Sequence, residues 1–164
     1  MAALKLFRDE QKGLGRYTLN QPVLARLVAA VGDDVAVRVL MVIGASRVGK
    51  SELANFVVSY LKGARSGSPF ETGDTTMRVT LGADCLLVER AGGEEVVLVV
   101  DVEGIEDEER EDPEERAVEL LTRCMALQAT LVWLVEDLGH TQLRRLGQVC
   151  RALEDSFGAE EEVK

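Results

Sequence analysis

The chain has 164 residues, the size of one ordinary domain, and 46% of them are hydrophobic, which is enough for a packed core. Its formal net charge of −10 at pH 7 argues against a nucleic-acid partner and against a bare anionic membrane, because both would repel an acidic surface. No apolar stretch approaches the length that spans a bilayer, and the opening residues, MAALKLFRDEQK, lack the apolar core of a signal peptide. We therefore expect a cytoplasmic protein without a membrane segment. Three cysteines, Cys85, Cys124 and Cys150, lie in apolar patterns without metal-ligand spacing and are interpreted as reduced core thiols.

The first predicted elements are short strands followed by a helix. Residues 4–19 favour two strands around a glycine-containing turn. Asn20 is predicted to cap a helix that runs to Val31, with Pro22 in its first turn, where a missing N–H does no harm. The β-branched run Val35–Ile43, VAVRVLMVI, is typical of a buried central strand.

A glycine-rich motif follows this strand in the segment VIGASRVGKSEL, residues 42–53. Its spacing of Gly44, four residues, Gly49, Lys50 and Ser51 is the phosphate-binding P-loop pattern. The glycines let backbone N–H groups approach phosphate oxygens, the lysine reaches the outer phosphates, and the serine hydroxyl is a ligand for Mg²⁺. The alternative is an ordinary glycine-rich turn between a strand and a helix. The predicted phosphate-binding residues are Gly44, Ala45, Ser46, Arg47, Val48, Gly49, Lys50 and Ser51.

A helix is predicted over Ser51–Leu61, and Gly63 is a stop signal after it. Helical spacing places four apolar residues on one stripe, which we expect to face the core: Leu53, Phe56, Val57 and Tyr60. The next stretch, GARSGSPFETGD, is typical of a mobile loop.

The second half of the chain alternates strands and helices. Met77–Glu89 and Val96–Asp101 are predicted to pair as an antiparallel hairpin. A helix over Pro113–Gln128, a buried strand over Thr130–Val135 and a helix over Thr141–Phe157 follow. Together these elements predict an α/β fold of the P-loop NTPase type, a three-layer sandwich whose sheet is mostly parallel with one antiparallel hairpin.

A second phosphate-site element is predicted in VVLVVDVEG. A carboxylate at the end of an apolar strand, here Asp101, is the arrangement that meets Mg²⁺ beside a P-loop, and the Gly104 N–H is suited to the γ-phosphate. The alternative is that Asp101 merely ends a strand. Between the two motifs lie three threonines, Thr75, Thr76 and Thr80, and one threonine in such a loop commonly closes over Mg²⁺. Spacing alone does not choose among them.

These motifs resemble the guanylate-binding protein and atlastin class of large GTPases, within the dynamin superfamily. The P-loop reads G-x-x-R-x-G-K-S, with Arg47 at the arginine position. The stretch from Phe70 to Gly82 is similar to the first switch of that class, and DVEGIED, Asp101 to Asp107, is similar to its second switch. The opening hairpin and helix, residues 4–31, also resemble those of the class. The resemblance extends from residue 4 to about residue 143.

The resemblance implies a GTP-binding protein that hydrolyses GTP with Mg²⁺ and forms a homodimer through its nucleotide face. It implies that Arg47 is an internal arginine finger and that Thr80 is the Mg²⁺-binding threonine. It also implies that Glu103 helps to position the attacking water. Its implied catalytic residues are Arg47, Lys50, Thr80 and Glu103. Its implied metal ligands are Ser51, Thr80 and Asp101. The nucleotide-binding set then adds Gly73, Asp74, Asp101 and Gly104 to the P-loop. The alternatives are a solvated loop arginine and, for Glu103, a solvated acidic face that continues into Glu106–Glu115.

The base-reading motifs of that class are missing from this sequence. Its one Arg-Asp pair, Arg8 and Asp9, belongs to the predicted N-terminal hairpin, and no N/T-K-x-D element is present. We therefore expect a C-terminally shortened G domain over residues 1–158 with an acidic tail at 159–164. A competing interpretation is a non-hydrolysing nucleotide-binding module that acts through interactions. A P-loop ATPase of another family fits residues 44–51 equally well but accounts less well for the rest.

Overall fold

The computed structural model describes residues 2–9, 17–31, 35–72, 82–93, 95–104 and 129–134, and the single positions 119, 122, 144, 147 and 151. Its elements in chain order are β1 (Leu4–Asp9), β2 (Tyr17–Leu19), α1 (Gln21–Val31), β3 (Val37–Gly44), α2 (Lys50–Leu61), β4 (Ala83–Glu89), β5 (Val96–Val102) and β6 (Thr130–Leu134). Most of the two later predicted helices lies outside the described residues, although positions 119, 122, 144, 147 and 151 are helical. Within this described part, no helix is both long and apolar enough to cross a membrane.

The strands form one mixed sheet in the order β2-β1-β4-β5-β3-β6. Strand β3 pairs in parallel with β5 on one side and β6 on the other. The remaining pairs, β1 with β2, β1 with β4 and β4 with β5, are antiparallel. The predicted hairpin of β4 and β5 is therefore confirmed, and the N-terminal hairpin of β1 and β2 adds a second antiparallel unit. Strand β6 has one partner in the described sheet. A buried strand was predicted there, but Thr130 is exposed and the other four residues are half-buried.

Two apolar cores lie on opposite faces of the sheet, because successive strand residues point to opposite sides. On one face, Val23 and Leu27 of α1 pack against a cluster that includes Met41 and Ile43 of β3. On the other face, Val58 of α2 belongs to a separate cluster that also includes Val42, Ala54, Phe70, Leu86, Val88, Val97 and Val99. Helix, sheet and helix thus form three layers, which confirms the predicted α/β sandwich.

Asn20 occupies the predicted position just before α1. Its backbone carbonyl accepts hydrogen bonds from the amides of Val23 and Leu24, at 2.9 and 3.0 Å. Its side-chain amide nitrogen, however, donates to the carbonyl of Lys5 in β1 at 2.8 Å. Asn20 therefore ties the start of α1 to the first strand, in addition to starting the helix.

The predicted buried stripe of α2 is right for Leu53 and Val57, which are partly buried and pack against the core, and wrong for Phe56 and Tyr60. Phe56 and Tyr60 are 68% and 71% exposed, whereas Ala54, Asn55 and Val58 are buried. The buried residues lie three, four and seven positions after Ser51, and are therefore on the same helical face as that serine. Because Ser51 faces the sheet at the functional site, the rotation of the helix follows from the serine and not from the most apolar stripe.

The loop after α2 is fastened to that helix at two points. Asn55 donates from its side-chain nitrogen to the Phe70 carbonyl at 2.9 Å and accepts from the Phe70 amide at 3.0 Å. Ser59 exchanges hydrogen bonds with the backbone of Ser66. Phe70 is buried to 1% exposure. The stretch predicted as a mobile loop thus has an ordered path as far as residue 72.

Cys85 fits the prediction of a buried thiol. It is fully buried in β4, and this burial, together with the charge of Asp84, raises the pKa of the Cys85 thiol to about 12. The thiolate is the reactive form of cysteine, so Cys85 is a core residue and a poor nucleophile. Cys124 and Cys150 lie outside the described residues.

Candidate phosphate-binding site

The candidate loop begins at Gly44, the last residue of β3. A Cβ atom at this position would lie 2.3 Å from the carbonyl oxygen of Leu134 in β6, and the backbone φ angle is +145°. Both facts exclude an ordinary side chain. The sequence predicted a glycine here for close approach to phosphate; the fold adds a second reason, which is the close approach of β6.

The loop ends at Gly49, which precedes the first turn of α2 with a left-handed φ of 84°. Its carbonyl accepts the Leu53 amide at 2.9 Å and so starts the helix. Inside the loop, Arg47 is an exposed residue with a left-handed φ of 67°, the one non-glycine residue with positive φ among the described residues. Such a conformation costs an L-residue about 1–2 kcal/mol and is concentrated at functional sites.

Lys50 is buried, with 7% of its surface exposed, and its ammonium group donates to the carbonyl of Ala45 across the loop. A buried cation requires such an oxygen partner. This contact holds the lysine ammonium group against the loop. The partial positive charge of the α2 N-terminus adds to the attraction for an anion.

Ser51 and Asp101 meet where α2 begins and β5 ends. The Ser51 hydroxyl donates to Oδ2 of Asp101 at 2.6 Å, and Asp101 is 1% exposed. A hydroxyl and a carboxylate are oxygen ligands of the kind that Mg²⁺ prefers. The two predicted metal ligands from separate motifs therefore lie within one hydrogen bond of each other, and this donor set fits Mg²⁺. No cluster of three or more His, Cys, Asp or Glu residues suited to a metal occurs among the residues that the structure describes.

A second carboxylate lies beside Asp101. Asp84 of β4 is its direct cross-strand partner, and Lys5 of β1 forms an ion pair with Asp84 at 2.7 Å. Burial raises the pKa of the Asp84 carboxyl above its usual range, although Lys5 acts in the opposite direction, and nearby Glu71 raises it further. The sequence carried no motif that pointed to Lys5 or Asp84, because their proximity to Asp101 depends on the register of three strands.

Gly104 lies directly against the P-loop. A Cβ atom on Gly104 would meet the Ser46 hydroxyl oxygen at 2.1 Å and the Ser46 Cα and amide nitrogen at 2.7 Å. The segment predicted as the second switch therefore lies in close contact with the glycine-rich loop at Gly104, where only a glycine fits.

Glu103 is buried, with 5% of its surface exposed, and its carboxylate has two hydrogen-bond donors. The Tyr17 hydroxyl donates to Oε1, and the Gly82 amide donates to Oε2 at 2.6 Å. The Glu103 amide in turn donates to the Gly82 carbonyl at 2.8 Å. Sequence analysis missed Tyr17, which it placed only in a short strand.

Several predicted site residues lie outside the described part of the chain: Gly73, Asp74, Thr75, Thr76 and Thr80, as well as the acidic stretch Glu106–Glu115. Their assigned roles stay predictions. The structure brings the described candidates, from Gly44 to Ser51 with Asp101 and Gly104, to one edge of the sheet. These are the carboxyl ends of the parallel strands, where α/β folds bind ligands.

Comparison with known proteins gives one family. The model of the family described as guanylate-binding protein, N-terminal domain, matches residues 15–154. The match spans both candidate motifs and every strand except β1. No curated protein matches the chain as a relative.

Proposed function

The chain belongs to the guanylate-binding protein family, through its N-terminal domain, and from this premise we propose that it binds GTP and hydrolyses it with Mg²⁺. The observation that carries the proposal is the contact of Ser51 with Asp101 at 2.6 Å. It joins the P-loop helix to the end of the neighbouring parallel strand, the pairing on which phosphoryl-transfer sites of this type depend. A glycine-rich turn without a nucleotide would not require that carboxylate.

Each described residue has a definite role in this proposal. Lys50 and the loop amides hold the phosphate oxygens, and the Gly104 N–H serves the γ-phosphate. Ser51 and Asp101 hold Mg²⁺, which supplies charge neutralisation at the phosphates. The threonine ligand, Thr80, is carried over from the resemblance.

Arg47 has the role of the transition-state cation. Its side chain is exposed and its backbone adopts the left-handed conformation, a geometry that holds a long cationic side chain at the rim of the phosphate loop. Dimerisation through the nucleotide face would bury this face and exclude water from it, which strengthens the interaction of a cation with the developing charge. The chain is thus proposed to be activated by a second copy of itself.

The experiment is a measurement of GTP and ATP turnover with Mg²⁺ over a range of protein concentrations, for the parent chain and for Arg47→Ala. We expect selective GTP turnover whose specific rate rises with protein concentration. Arg47→Ala should reduce turnover by about 10³-fold while nucleotide affinity changes by less than about tenfold, because the arginine acts mainly in the transition state. Arg65→Ala removes an equal charge from an exposed position in the loop after α2 and is the matched control, with turnover close to the parent.

Four results would count against this proposal. Equal and weak binding of GTP and ATP without turnover would identify a nucleotide-binding interaction module. Preferential ATP turnover would identify an ATPase. A specific rate that does not depend on protein concentration would contradict activation by homodimerisation. Equal effects of Arg47→Ala and Arg65→Ala on turnover would contradict the role of Arg47 as an arginine finger.

A further inference from the structure

The N-terminal hairpin reaches the nucleotide site through one buried side chain. Tyr17 of β2 is 1% exposed and lies in the core on the α1 face of the sheet. Its hydroxyl donates to Oε1 of Glu103, a residue 86 positions later in the chain and directly after β5. The ring of Tyr17 therefore packs in an apolar core, while its hydroxyl is hydrogen-bonded to the buried carboxylate of Glu103.

Glu103 also forms hydrogen bonds with Gly82. Gly82 donates its amide to Oε2 and accepts the amide of Glu103, so the two residues exchange a pair of hydrogen bonds. Gly82 itself is confined, because a Cβ atom there would lie 2.3 Å from the Phe7 carbonyl in β1. Glu103 is thus hydrogen-bonded to Tyr17 of β2 and to Gly82, which lies close to β1 and directly precedes β4.

The next residue carries this attachment to the phosphate loop. Gly104 lies against the Ser46 backbone so closely that no side chain fits between them. A displacement of the Glu103 backbone moves the Gly104 amide relative to Ser46, because the Glu103 carbonyl and the Gly104 N–H belong to one planar peptide unit. The position of the N–H assigned to the γ-phosphate consequently depends on how Glu103 is held.

We propose that Tyr17 is a positioning residue of the nucleotide site, which acts through Glu103 to hold the Gly104 amide at the P-loop. In this arrangement Glu103 is a brace, because both of its carboxylate oxygens accept hydrogen bonds within the protein and it is 5% exposed. Charged acceptors form stronger hydrogen bonds than neutral ones, so removal of the tyrosine donor takes a strong hydrogen bond away from a buried carboxylate. The γ-phosphate part of this inference rests on the proposed function; the coupling of Tyr17 to the P-loop does not.

The first test needs no nucleotide. Hydrogen exchange of individual backbone amides is measured by NMR in the parent chain, in Tyr17→Phe and in Leu19→Ala. Tyr17→Phe keeps the aromatic body in the core and removes only the donor, and we expect exchange at Ser46 and Gly104 to accelerate by roughly tenfold, the equivalent of one lost hydrogen bond to a charged group. Leu19→Ala is the control, because Leu19 lies on the same strand and packs against the same core without a hydrogen bond to Glu103 among those described. Equal acceleration in both variants, or none in Tyr17→Phe, would overturn the proposal.

The second test separates the γ-phosphate from the rest of the nucleotide. Affinities for a non-hydrolysable GTP analogue and for GDP are compared in the same variants. Tyr17→Phe should weaken binding of the analogue by about 5- to 20-fold and leave GDP within about threefold, since one positioned hydrogen bond to a charged group is affected. A purely structural loss would weaken both nucleotides equally, and that result would contradict the proposal. If the parent binds neither nucleotide, the proposed function fails, while the exchange measurement still decides the coupling.

Glu103→Gln distinguishes the brace from a direct role in orienting water. Glutamine retains an acceptor for the Gly82 amide and a group that can pair with the Tyr17 hydroxyl. We expect turnover and GTP-analogue affinity to fall together, each by about two- to fivefold, because the neutral hydrogen bonds are weaker but present. Loss of turnover by a factor of about 10² or more with unchanged affinity is the size expected for a residue that orients the nucleophile. That outcome would make Glu103 a catalytic residue and overturn its assignment as a brace.

Discussion

Gly44 illustrates how one residue serves two requirements that come from different parts of the molecule. It is the first glycine of the phosphate loop, and its α-carbon also faces the Leu134 carbonyl of β6 across the parallel pair. The loop requirement is local and was visible in the motif. The strand requirement is a contact across 90 positions, and nothing near Gly44 in the sequence encodes it.

Gly44→Ala should therefore destabilise the fold even without a ligand. The new methyl group would lie 2.3 Å from a backbone oxygen that cannot rotate away, and overpacking of this kind costs about 1–3 kcal/mol. The free energy of unfolding, measured by urea titration without nucleotide, checks this value.

Gly67→Ala is the matched control for that substitution. Gly67 has no heavy atom within 4 Å of its would-be Cβ and no positive φ, so its stability should change by less than about 0.5 kcal/mol. If the two variants were equally stable, the approach of β6 to Gly44 would not be a stabilising constraint in the folded protein.

At the scale of an element, α2 shows that the rotation of a helix about its axis can be set by the site residues in its first turn. Its first turn delivers Lys50 and Ser51 to the site, and this sets which residues face the sheet three and four positions later. Asn55 is consequently buried and holds Phe70, while Phe56 and Tyr60 lie outside. The apolar pattern alone favoured a rotation that also buries Phe56 and Tyr60.

The observed rotation of α2 and the rotation predicted from its apolar stripe imply different changes in the free energy of unfolding when residues on the helix are substituted. Val58→Ala should lower the free energy of unfolding by about 2–3 kcal/mol, because it removes two buried methyl groups and leaves a cavity. Phe56→Ser should change it by less than about 0.5 kcal/mol, because the side chain is mostly exposed and the two residues have similar helix propensities. Thermal or urea unfolding of the two variants provides the comparison, and a larger cost for Phe56→Ser would restore the stripe predicted from the sequence.

At the scale of the whole molecule, the charge bears on how two copies meet. A chain of net charge −10 repels a second copy, and this repulsion is long-range at low ionic strength. The homodimer in the proposed function must form against it. The cations of the candidate site, such as Arg47 and Lys50, oppose the repulsion only locally.

Added salt should therefore favour association. We expect the protein concentration that gives half-maximal specific GTP turnover to fall several-fold between about 20 and 200 mM NaCl, as the screening length shrinks to below about 10 Å. Rates at saturating protein concentration provide the control for direct effects of salt on the chemistry. A half-activation concentration that rises with salt would instead indicate an interface held by opposite charges.

The sequence by itself determined the phosphate-loop pattern, the α/β fold and the family. Each of these is carried by residues within a few positions of one another: the glycines, lysine and serine of residues 44–51, the DVEG segment after an apolar strand, and alternating apolar runs. Spacing at this range fixes backbone geometry directly, and so it can be read before the chain is folded. Ser51 and Asp101 were each predicted as metal ligands because motifs marked both of them, and the structure places them in contact.

Only the tertiary structure decided the rotation of α2, the second constraint on Gly44, the ion pair of Lys5 with Asp84, and the attachment of Tyr17 to Glu103. Each is a contact between strands or helices that are distant in sequence. Such contacts depend on strand order and register, and one residue of register moves every side chain of a strand to the opposite face. Local patterns contain no information about that choice, because it follows from the packing of all the elements together.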